Sequence, residues 1–351
     1  MANNVTLQTS GMSQVDVLLD CFHSASSLTV VCHDDPDPDC LAGAMALKLL
    51  ASESGIDTVD ILYGGTISHQ QNRAFVNVFD IELQQYSEEL REANELVAFV
   101  DHSLPGNHNS VPAETAVDIV IDHHPTDHPI PAEFVDIREE YGATATILTE
   151  YIRESPIEMT TRIASGLLFG IHRDCLDFIR QPTTHEYGAG EYLDPRADIE
   201  MLRELYGASF TAATVDVVGD AIQNRVKRNA CLVSCIGRTA GHDALTQAAD
   251  YLLNIEGVSV VLVCGIVDDE VQLSARSIRK DIDLGERLRE AYGDIGQAGG
   301  HKTMAGGQLS LGRLNDVTHE ESEVVEMINK RVRRRFFDVM GVAADENGAG
   351  V

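Results

Sequence analysis

The sequence contains no tryptophan, only 5% aromatic residues, and 26 basic residues against 56 acidic ones. No apolar run reaches the roughly 18 residues that a membrane-spanning helix needs, so we expect no such helix. The first residues, MANNVTLQTSGMSQ, lack the basic-then-apolar pattern of a signal peptide, which favours a cytoplasmic protein. The seven cysteines include no C-x-x-C pair, which predicts a reducing compartment without a disulfide framework or a thiolate metal site.

The charge balance gives a formal net charge of -30. Such a field repels itself at low ionic strength and is tolerated when salt shortens the screening length to about 3 Å at 1 M. The composition resembles that of halophilic archaeal proteins and predicts a salt-rich cytoplasm, with an acidic mesophile protein as the alternative. The same field argues against an extended surface for duplex DNA, although a small nucleotide in a local pocket remains compatible with it.

Short apolar runs alternate with helical patterns in the first half of the chain. The predicted strands are 28–33, 57–63, 96–101 and 117–122, and the predicted helices are 41–52, 69–79, 142–154 and 159–173. This alternation is typical of an α/β domain with a parallel sheet and helices on both of its faces.

The 351 residues are enough for two domains. A stretch rich in Gly, Pro and Thr at 183–194 indicates a boundary, so we expect a catalytic domain over 1–195 and a helical linker over 196–228. A smaller α/β domain is expected over 229–340, followed by a flexible tail over 341–351. Its predicted elements are strands at 230–237, 258–266 and 270–276, helices at 242–254, 283–292 and 320–338, and a Gly-rich loop at 296–307.

Acidic and imidazole side chains follow three of the predicted strands. The three clusters contain His33, Asp37 and Asp39; Asp101 and His102; and Asp122, His123 and His124. Strand carboxyl ends line the ligand crevice of an open α/β sheet, so we expect the three clusters to meet at one edge. Burial of so many unpaired charges would cost several kcal/mol per ion, which favours a bound cation.

Asp174 ends an apolar helical stretch, where a carboxylate opposes the helix dipole unless a cation holds it. Carboxylates with a few imidazoles favour Mn²⁺ or Mg²⁺, whereas zinc is disfavoured because no cysteine ligands are expected. Two ions about 3.5–4 Å apart that share one bridging carboxylate would use this many acids.

These motifs together resemble the DHH phosphoesterase family. The resemblance implies one ion held by His33, Asp37 and Asp101, and a second held by Asp39, Asp101, His123 and Asp174. It also implies that Asp101 bridges the two ions, that Asp122 orients an imidazole, and that the catalytic His124 contacts the substrate phosphate. Cys40 and Cys175 depart from the family pattern, and neither is expected to be a ligand.

The Gly-rich run in the second half resembles the Gly-Gly-His loop of the DHH-associated C-terminal domain. Backbone N–H groups of such a loop approach anions closely. The resemblance implies a cleft between the two domains and a substrate-binding set formed by Arg276, Ser277, Gly299, Gly300, His301, Lys302, Gly306 and Gly307.

The expected activity is hydrolysis of phosphoester bonds in small nucleotides, with two divalent ions activating the water. The substrate would be a short oligoribonucleotide, a dinucleotide or 3′-phosphoadenosine 5′-phosphate. The alternatives are a phosphodiesterase for cyclic di-AMP or linear di-adenylate, a RecJ-like single-strand exonuclease, and a nucleotide-binding sensor without turnover. A family II pyrophosphatase is disfavoured because its basic Ser-Arg-Lys-Lys-type motif is missing. The oligomeric state, a homodimer included, stays open.

Overall fold

The computed structural model describes residues 12–23, 25–67, 69–106, 109–178, 182–239, 241–267, 270–300, 302–310 and 321–342. These residues form two compact units that divide between Ala208 and Ser209. The predicted linker over 196–228 is therefore shared between the units. Its helix Ile199–Tyr206 falls in the first unit and its helix Ala212–Gln223 falls in the second. No helix among the described residues combines the length and the apolar character needed to cross a membrane.

The first unit contains one six-stranded sheet and eight α-helices among its described residues. The strands are β1 (Ser27–Val31), β2 (Thr58–Tyr63), β3 (Leu83–Gln85), β4 (Leu96–Val100), β5 (Ile119–Asp122) and β6 (Phe134–Ile137). The helices are α1 (Gln14–Phe22), α2 (Pro38–Glu53), α3 (Gln70–Val78), α4 (Glu88–Glu92), α5 (Thr144–Glu154), α6 (Thr161–Asp174), α7 (Thr184–Leu193) and α8 (Ile199–Tyr206). All strand pairs are parallel, as the apolar runs predict.

The strand order β3-β2-β1-β4-β5-β6 reverses direction between β1 and β4. A reversal of this kind opens a crevice at the carboxyl ends of the two strands, where open α/β sheets bind their ligands. Helix α2 follows β1 and packs closely on the sheet. A side chain at position 43 would place its Cβ atom 2.6 Å from Cγ1 of Val100, so the close approach depends on Gly43. The small residues of α2 thus bring its first turn close to the end of β4.

The stretch 183–194, whose composition indicates a nearby boundary, contains helix α7. Thr183 and Glu186 form a capping box at the start of α7. The Glu186 side chain is buried and accepts hydrogen bonds from the backbone N–H groups of Thr183 (2.6 Å) and Gly142 (2.9 Å). A capping box can start a helix in a Gly-rich segment because it satisfies N–H groups that lack partners within the helix.

The second unit contains a mixed sheet in which β8 and β9 are parallel and the other pairs are antiparallel. Its strands are β7 (Arg225–Arg228), β8 (Cys231–Arg238), β9 (Val260–Val267), β10 (Glu270–Ser277), β11 (Gly296–Gly300) and β12 (Met304–Ser310). Its helices are α9 (Ala212–Gln223), α10 (His242–Leu253), α11 (Leu284–Tyr292) and α12 (Glu321–Val339). The sheet order is β11-β12-β10-β9-β8-β7.

Two predictions for the second unit are wrong. The segment 225–228 is a strand paired with β8, although its basic residues fit the helical pattern predicted around them. The Gly-rich run is a hairpin of β11 and β12 rather than a loop. Glycine is required at position 300, where φ is +140° and a Cβ atom would lie 2.5 Å from the Cα atom of Ala305.

One pair of cysteines is joined, although the sequence predicts no disulfide framework. Cys235 in β8 and Cys264 in β9 are buried, lie opposite each other in the strand register, and are joined by a disulfide. Their Cα atoms are 4.6 Å apart, which the parallel pairing imposes. This proximity depends on strand order and register, neither of which the spacing of the cysteines reveals.

Candidate metal centre

Two candidate ligands follow the neighbouring strands β1 and β4, where the strand order reverses. The Nε2 atom of His33 lies 3.6 Å from Oδ2 of Asp101. The Nδ1 atom of His33 lies 2.8 Å from the carbonyl oxygen of Asp34 and donates to it, so Nε2 is the atom that faces the site. Burial lowers the pKa of His33, but the nearby Asp101 carboxylate and the charge of Asp37 outweigh burial and raise it to about 10. The position therefore attracts positive charge.

Asp101 is held in an unusual backbone conformation at the centre of the site. Its φ angle is 67°, a region that residues other than glycine rarely adopt. The hydroxyl of Thr144 donates to Oδ1 of Asp101 at 2.8 Å, and the Nε2 atom of His123 lies 3.6 Å from the same oxygen. Burial raises the pKa of Asp101, but the nearby imidazole of His33 and the charges of His123 and His124 lower it well below its usual range. Asp101 thus stays ionised and presents one oxygen to each side.

Asp39 lies at the N-terminus of helix α5. The backbone N–H groups of Thr144 and Ala145 donate to its two oxygens at 2.7 and 2.8 Å. The residue before α5 offers no side-chain cap, so Asp39 satisfies N–H groups that would otherwise lack partners. Burial and the charges of Asp101 and Asp174 still raise the pKa of Asp39 well above its usual range. A cation here would relieve the repulsion between these carboxylates.

Asp37 is the N-cap of helix α2. Its Oδ1 atom accepts from the N–H groups of Asp39 at 3.0 Å and Cys40 at 3.2 Å, and Pro38 occupies the first helical position. Helix α2 therefore begins at Pro38, three residues before the predicted start at 41. Oδ1 of Asp37 is thus used in capping helix α2. The expected role as a metal ligand would have to use the other oxygen, Oδ2.

His123 and Asp174 close the other side of the site. The Nε2 atom of His123 lies 3.4 Å from Oδ2 of Asp174, the last residue of α6. The Nδ1–H group of His123 donates a hydrogen bond to the carbonyl oxygen of Tyr141 at 3.1 Å, which directs Nε2 inward. An imidazole nitrogen and a carboxylate oxygen thus face each other, as in metal sites.

His124 lies at the open edge of the site. Its Nδ1 atom lies 2.9 Å from Oδ1 of the buried Asp122 and 3.8 Å from Oδ1 of Asp101, while its side chain remains 46% exposed. Burial lowers the pKa of His124, but the hydrogen bond to Asp122 and the charge of Asp101 outweigh burial and raise it to about 9. His124 therefore offers a positive charge that an anion from solvent can reach.

Three groups of side chains, each with ligand atoms within 4.8 Å of one another, could hold a metal ion. They are His33, Cys40 and Asp101; Asp101, His123 and His124; and Asp39, His123 and Asp174. Carboxylate oxygens and imidazole nitrogens fit Mn²⁺ and Mg²⁺, and the shared Asp101 fits two adjacent ions. Of the predicted metal ligands within the described chain, only Asp37 belongs to none of these groups.

The predicted substrate-binding residues lie in the second unit. The guanidinium of Arg276 donates through Nε to Asp250 at 2.8 Å and through Nη1 to the carbonyl oxygen of Ala275 at 2.9 Å. Ser277 accepts at Oγ from the N–H group of Arg279 at 3.0 Å. Gly299, Gly300, Gly306 and Gly307 lie in the β11–β12 hairpin, Lys302 lies in its turn, and His301 falls outside the described residues.

Three residues at the site were not predicted from the sequence. Thr144 contacts Asp101 through its side chain and Asp39 through its backbone, and the Tyr141 carbonyl orients His123. Cys40 joins one of the three candidate groups, although we expected it not to be a ligand. A threonine at the first position of a helix is too common to indicate such a role, and a backbone carbonyl has no sequence signal.

Comparison with known proteins finds family models that match both halves of the chain. The family model for the DHH family N-terminal domain matches residues 27–171, and the model for the DHHA1 domain matches residues 228–333. An uncharacterized protein of Methanocaldococcus jannaschii is 35% identical over 322 residues, and this alignment covers 91% of this chain and 65% of that protein.

Two solved structures share the fold. An exopolyphosphatase-related protein from Bacteroides fragilis matches with a TM-score of 0.72 at 15% identity, covering 93% of this chain and 97% of that one. RecJ from Thermus thermophilus, in complex with Mn²⁺, matches with a TM-score of 0.52 at 16% identity, covering 92% of this chain and 55% of that one. The resemblance of the sequence motifs is confirmed: the chain belongs to the DHH family and carries a DHHA1 domain after its DHH domain.

Proposed function

We propose that this protein is a metal-dependent phosphoesterase that hydrolyses small nucleotides. The substrates would be short oligoribonucleotides, dinucleotides or 3′-phosphoadenosine 5′-phosphate. One observation carries the proposal, namely the convergence of side chains from separate strand ends on Asp101. His33 and His123 both place an Nε2 atom 3.6 Å from its carboxylate, and Asp174 lies 3.4 Å from His123. Membership of the DHH family adds independent support.

We assign two divalent ions to this centre, with Mn²⁺ favoured over Mg²⁺. His33, Asp37 and Asp101 would hold the first ion, and Asp39, Asp101, His123 and Asp174 would hold the second. The capping N–H groups contact Oδ1 of Asp37, which leaves Oδ2 for an ion. The ions, when bound, would supply an activated water and neutralise phosphate charge.

The protein's own groups would position and stabilise the substrate phosphate. His124 is exposed enough to reach a phosphate oxygen, and its positive charge would offset the negative charge that grows on that oxygen during attack. Asp122 fixes the ring of His124 through Nδ1. Thr144 and the N-terminus of α5 hold Asp101 and Asp39, so the carboxylates need little rearrangement before the reaction.

We propose that the DHHA1 domain binds the nucleoside or the distal phosphate. The set is Arg276, Ser277, Gly299, Gly300, His301, Lys302, Gly306 and Gly307. The hairpin glycines carry no side chains, so a ligand can approach the strand backbone closely, and Lys302 adds a positive charge in a strongly acidic protein. These features suit an anionic ligand.

The test is hydrolysis of a labelled dinucleotide by the purified protein with Mn²⁺. We expect product with the wild type and none above background with Asp101→Ala or His123→Ala. Asp20→Ala and His23→Ala are matched controls, because Asp20 and His23 form an exposed histidine–carboxylate pair, 3.4 Å apart, outside the site. Both controls should keep wild-type rates. Full activity in Asp101→Ala or His123→Ala would remove the two-metal proposal.

A substrate series separates the alternatives. 3′-Phosphoadenosine 5′-phosphate, linear di-adenylate, cyclic di-AMP and longer single-stranded RNA are each compared at equal concentration. The highest kcat/KM on 3′-phosphoadenosine 5′-phosphate supports the proposal, whereas preference for linear di-adenylate supports the di-adenylate phosphodiesterase instead. Preference for cyclic di-AMP or for long single strands would replace the substrate assignment, and binding without product would indicate a sensor.

A further inference from the structure

A buried thiol lies against the candidate metal centre. Cys40 belongs to the first turn of α2, directly after Asp39, and its side chain has no exposed surface. Its Sγ atom donates to the carbonyl oxygen of Val100 at 3.3 Å, which places it under the end of β4. The same sulfur lies within 4.8 Å of a ring nitrogen of His33 and a carboxylate oxygen of Asp101.

These three side chains offer sulfur, nitrogen and oxygen donors together. Thiolate ligands favour Zn²⁺ and other soft or borderline ions, whereas Mn²⁺ and Mg²⁺ prefer sites made of oxygen ligands. The expectation that zinc is disfavoured rests on the absence of cysteine ligands, and Cys40 removes that premise. Asp37, by contrast, directs Oδ1 to the backbone of α2 and joins none of the groups formed by the described residues.

Cys175 provides a comparison within the same site. It is equally buried, and it follows the candidate ligand Asp174 as Cys40 follows Asp39. Its Sγ atom contacts the carbonyl oxygen of Gly142 at 3.5 Å, and Cys175 belongs to none of the three groups formed by the described residues. The position of the sulfur, rather than the mere presence of a cysteine beside a ligand, distinguishes Cys40.

We propose that His33, Cys40 and Asp101 form a thiophilic metal site that binds Zn²⁺, Cd²⁺ or Co²⁺ through the sulfur of Cys40. As the sulfur–metal bond forms, the S–H bond breaks, the proton passes to solvent, and no atom changes oxidation state. The inference rests on the proposed function in that it uses the position assigned to the first Mn²⁺. It goes further because an ion bound through sulfur would occupy that position and exclude Mn²⁺.

The test is a titration of the metal-free full-length protein with Co²⁺, followed by absorption spectroscopy. We expect a sulfur-to-cobalt charge-transfer band that saturates with the wild type and is lost in Cys40→Ser and in Cys40→Ala. Cys175→Ser is the matched control and should keep the band. Circular dichroism establishes that each variant is folded. If one of the two substitutions at position 40 misfolds, the other still tests the role of the sulfur.

The titration tests the thiophilic site separately from the proposed phosphoesterase function. A wild type that shows no band, or a Cys40→Ala variant that keeps it, overturns the thiophilic site even if Mn²⁺-dependent hydrolysis is intact. A band that depends on Cys40 supports the site even if no dinucleotide is hydrolysed, in which case the proposed function fails alone. Loss of the band in Cys175→Ser as well as in the Cys40 variants would also overturn the assignment.

Discussion

Replacing Thr144 by valine tests whether the start of helix α5 organises the metal centre. The substitution removes one hydroxyl and keeps the size and branching of the side chain. That hydroxyl is buried and donates to Oδ1 of Asp101 at 2.8 Å. The backbone N–H group of Thr144 would still donate to Asp39, because valine keeps it. The variant therefore isolates a single hydrogen bond to the central carboxylate.

The size of the effect follows from the burial and the charge of the acceptor. A hydrogen bond to a charged group contributes about 1.5–3 kcal/mol of stabilisation. Most of this stabilisation is lost when a buried acceptor is left without its donor. Groups that orient metal ligands change metal affinity by about 10- to 100-fold when removed, which agrees with this range. We expect Thr144→Val to bind Mn²⁺ about 10- to 100-fold more weakly than the wild type.

The measurement is Mn²⁺ binding by calorimetry, with thermal melting of the metal-free protein beside it. Thr149→Val is the matched control, because Thr149 is a buried residue of the same helix whose hydroxyl donates to the carbonyl oxygen of Ala145 at 2.7 Å. It should leave Mn²⁺ affinity unchanged. Equal weakening in the two variants would show a general loss of packing, and wild-type affinity in Thr144→Val would refute the assigned role.

Three further predictions concern other parts of the protein. Thr146→Val should keep or raise the melting temperature, since the buried hydroxyl of Thr146 finds no hydrogen-bond partner among the described residues; a clear fall would contradict this. Burial raises the pKa of Glu186, but hydrogen bonds from Thr183 and Gly142 outweigh burial and lower it. The Glu186 carboxylate thus adds stability that is present above its unfolded pKa and lost as the pH falls through the folded value. Urea unfolding between about pH 5 and about pH 3 should therefore show a smaller loss of stability in Glu186→Gln than in the wild type, and equal losses would refute this. The melting temperature should rise between about 0.1 and about 3 M KCl, as screening of the net charge of -30 requires, and a flat profile would count against a salt-rich cytoplasm.

The central strands of the first unit could be predicted because each is a short, mostly apolar run. Strands β1, β4 and β5 lie inside the sheet and are buried almost throughout, so composition alone marks them. The outer strands carry no such signal. Two of the three residues of β3 are exposed, and β6 is only four residues long with alternating burial. Edge strands need fewer apolar side chains, and short patterns cannot be distinguished from loops.

The candidate site could be predicted in part because parallel strands end at the same edge of a sheet. His33, Asp39, Asp101, His123 and Asp174 were expected to converge, and the structure brings each of them into a candidate group. Two details could not be predicted. The capping role of Asp37 depends on where α2 begins, and the contact of Cys40 depends on how closely α2 approaches β4.

The N-terminus of α5 explains why the sequence motifs reveal only some of the groups that form the site. Two backbone N–H groups hold Asp39, and one hydroxyl holds Asp101, although the two carboxylates follow different strands. Backbone donors fixed in a helix have far less freedom than long side chains, and the helix dipole favours a carboxylate at this end. The separation of the two carboxylates is therefore set by the placement of a helix together with the hydroxyl of its first residue. Any helical sequence that begins with a hydroxyl residue at position 144 would meet the same requirement, so the constraint cannot be seen until the fold is known.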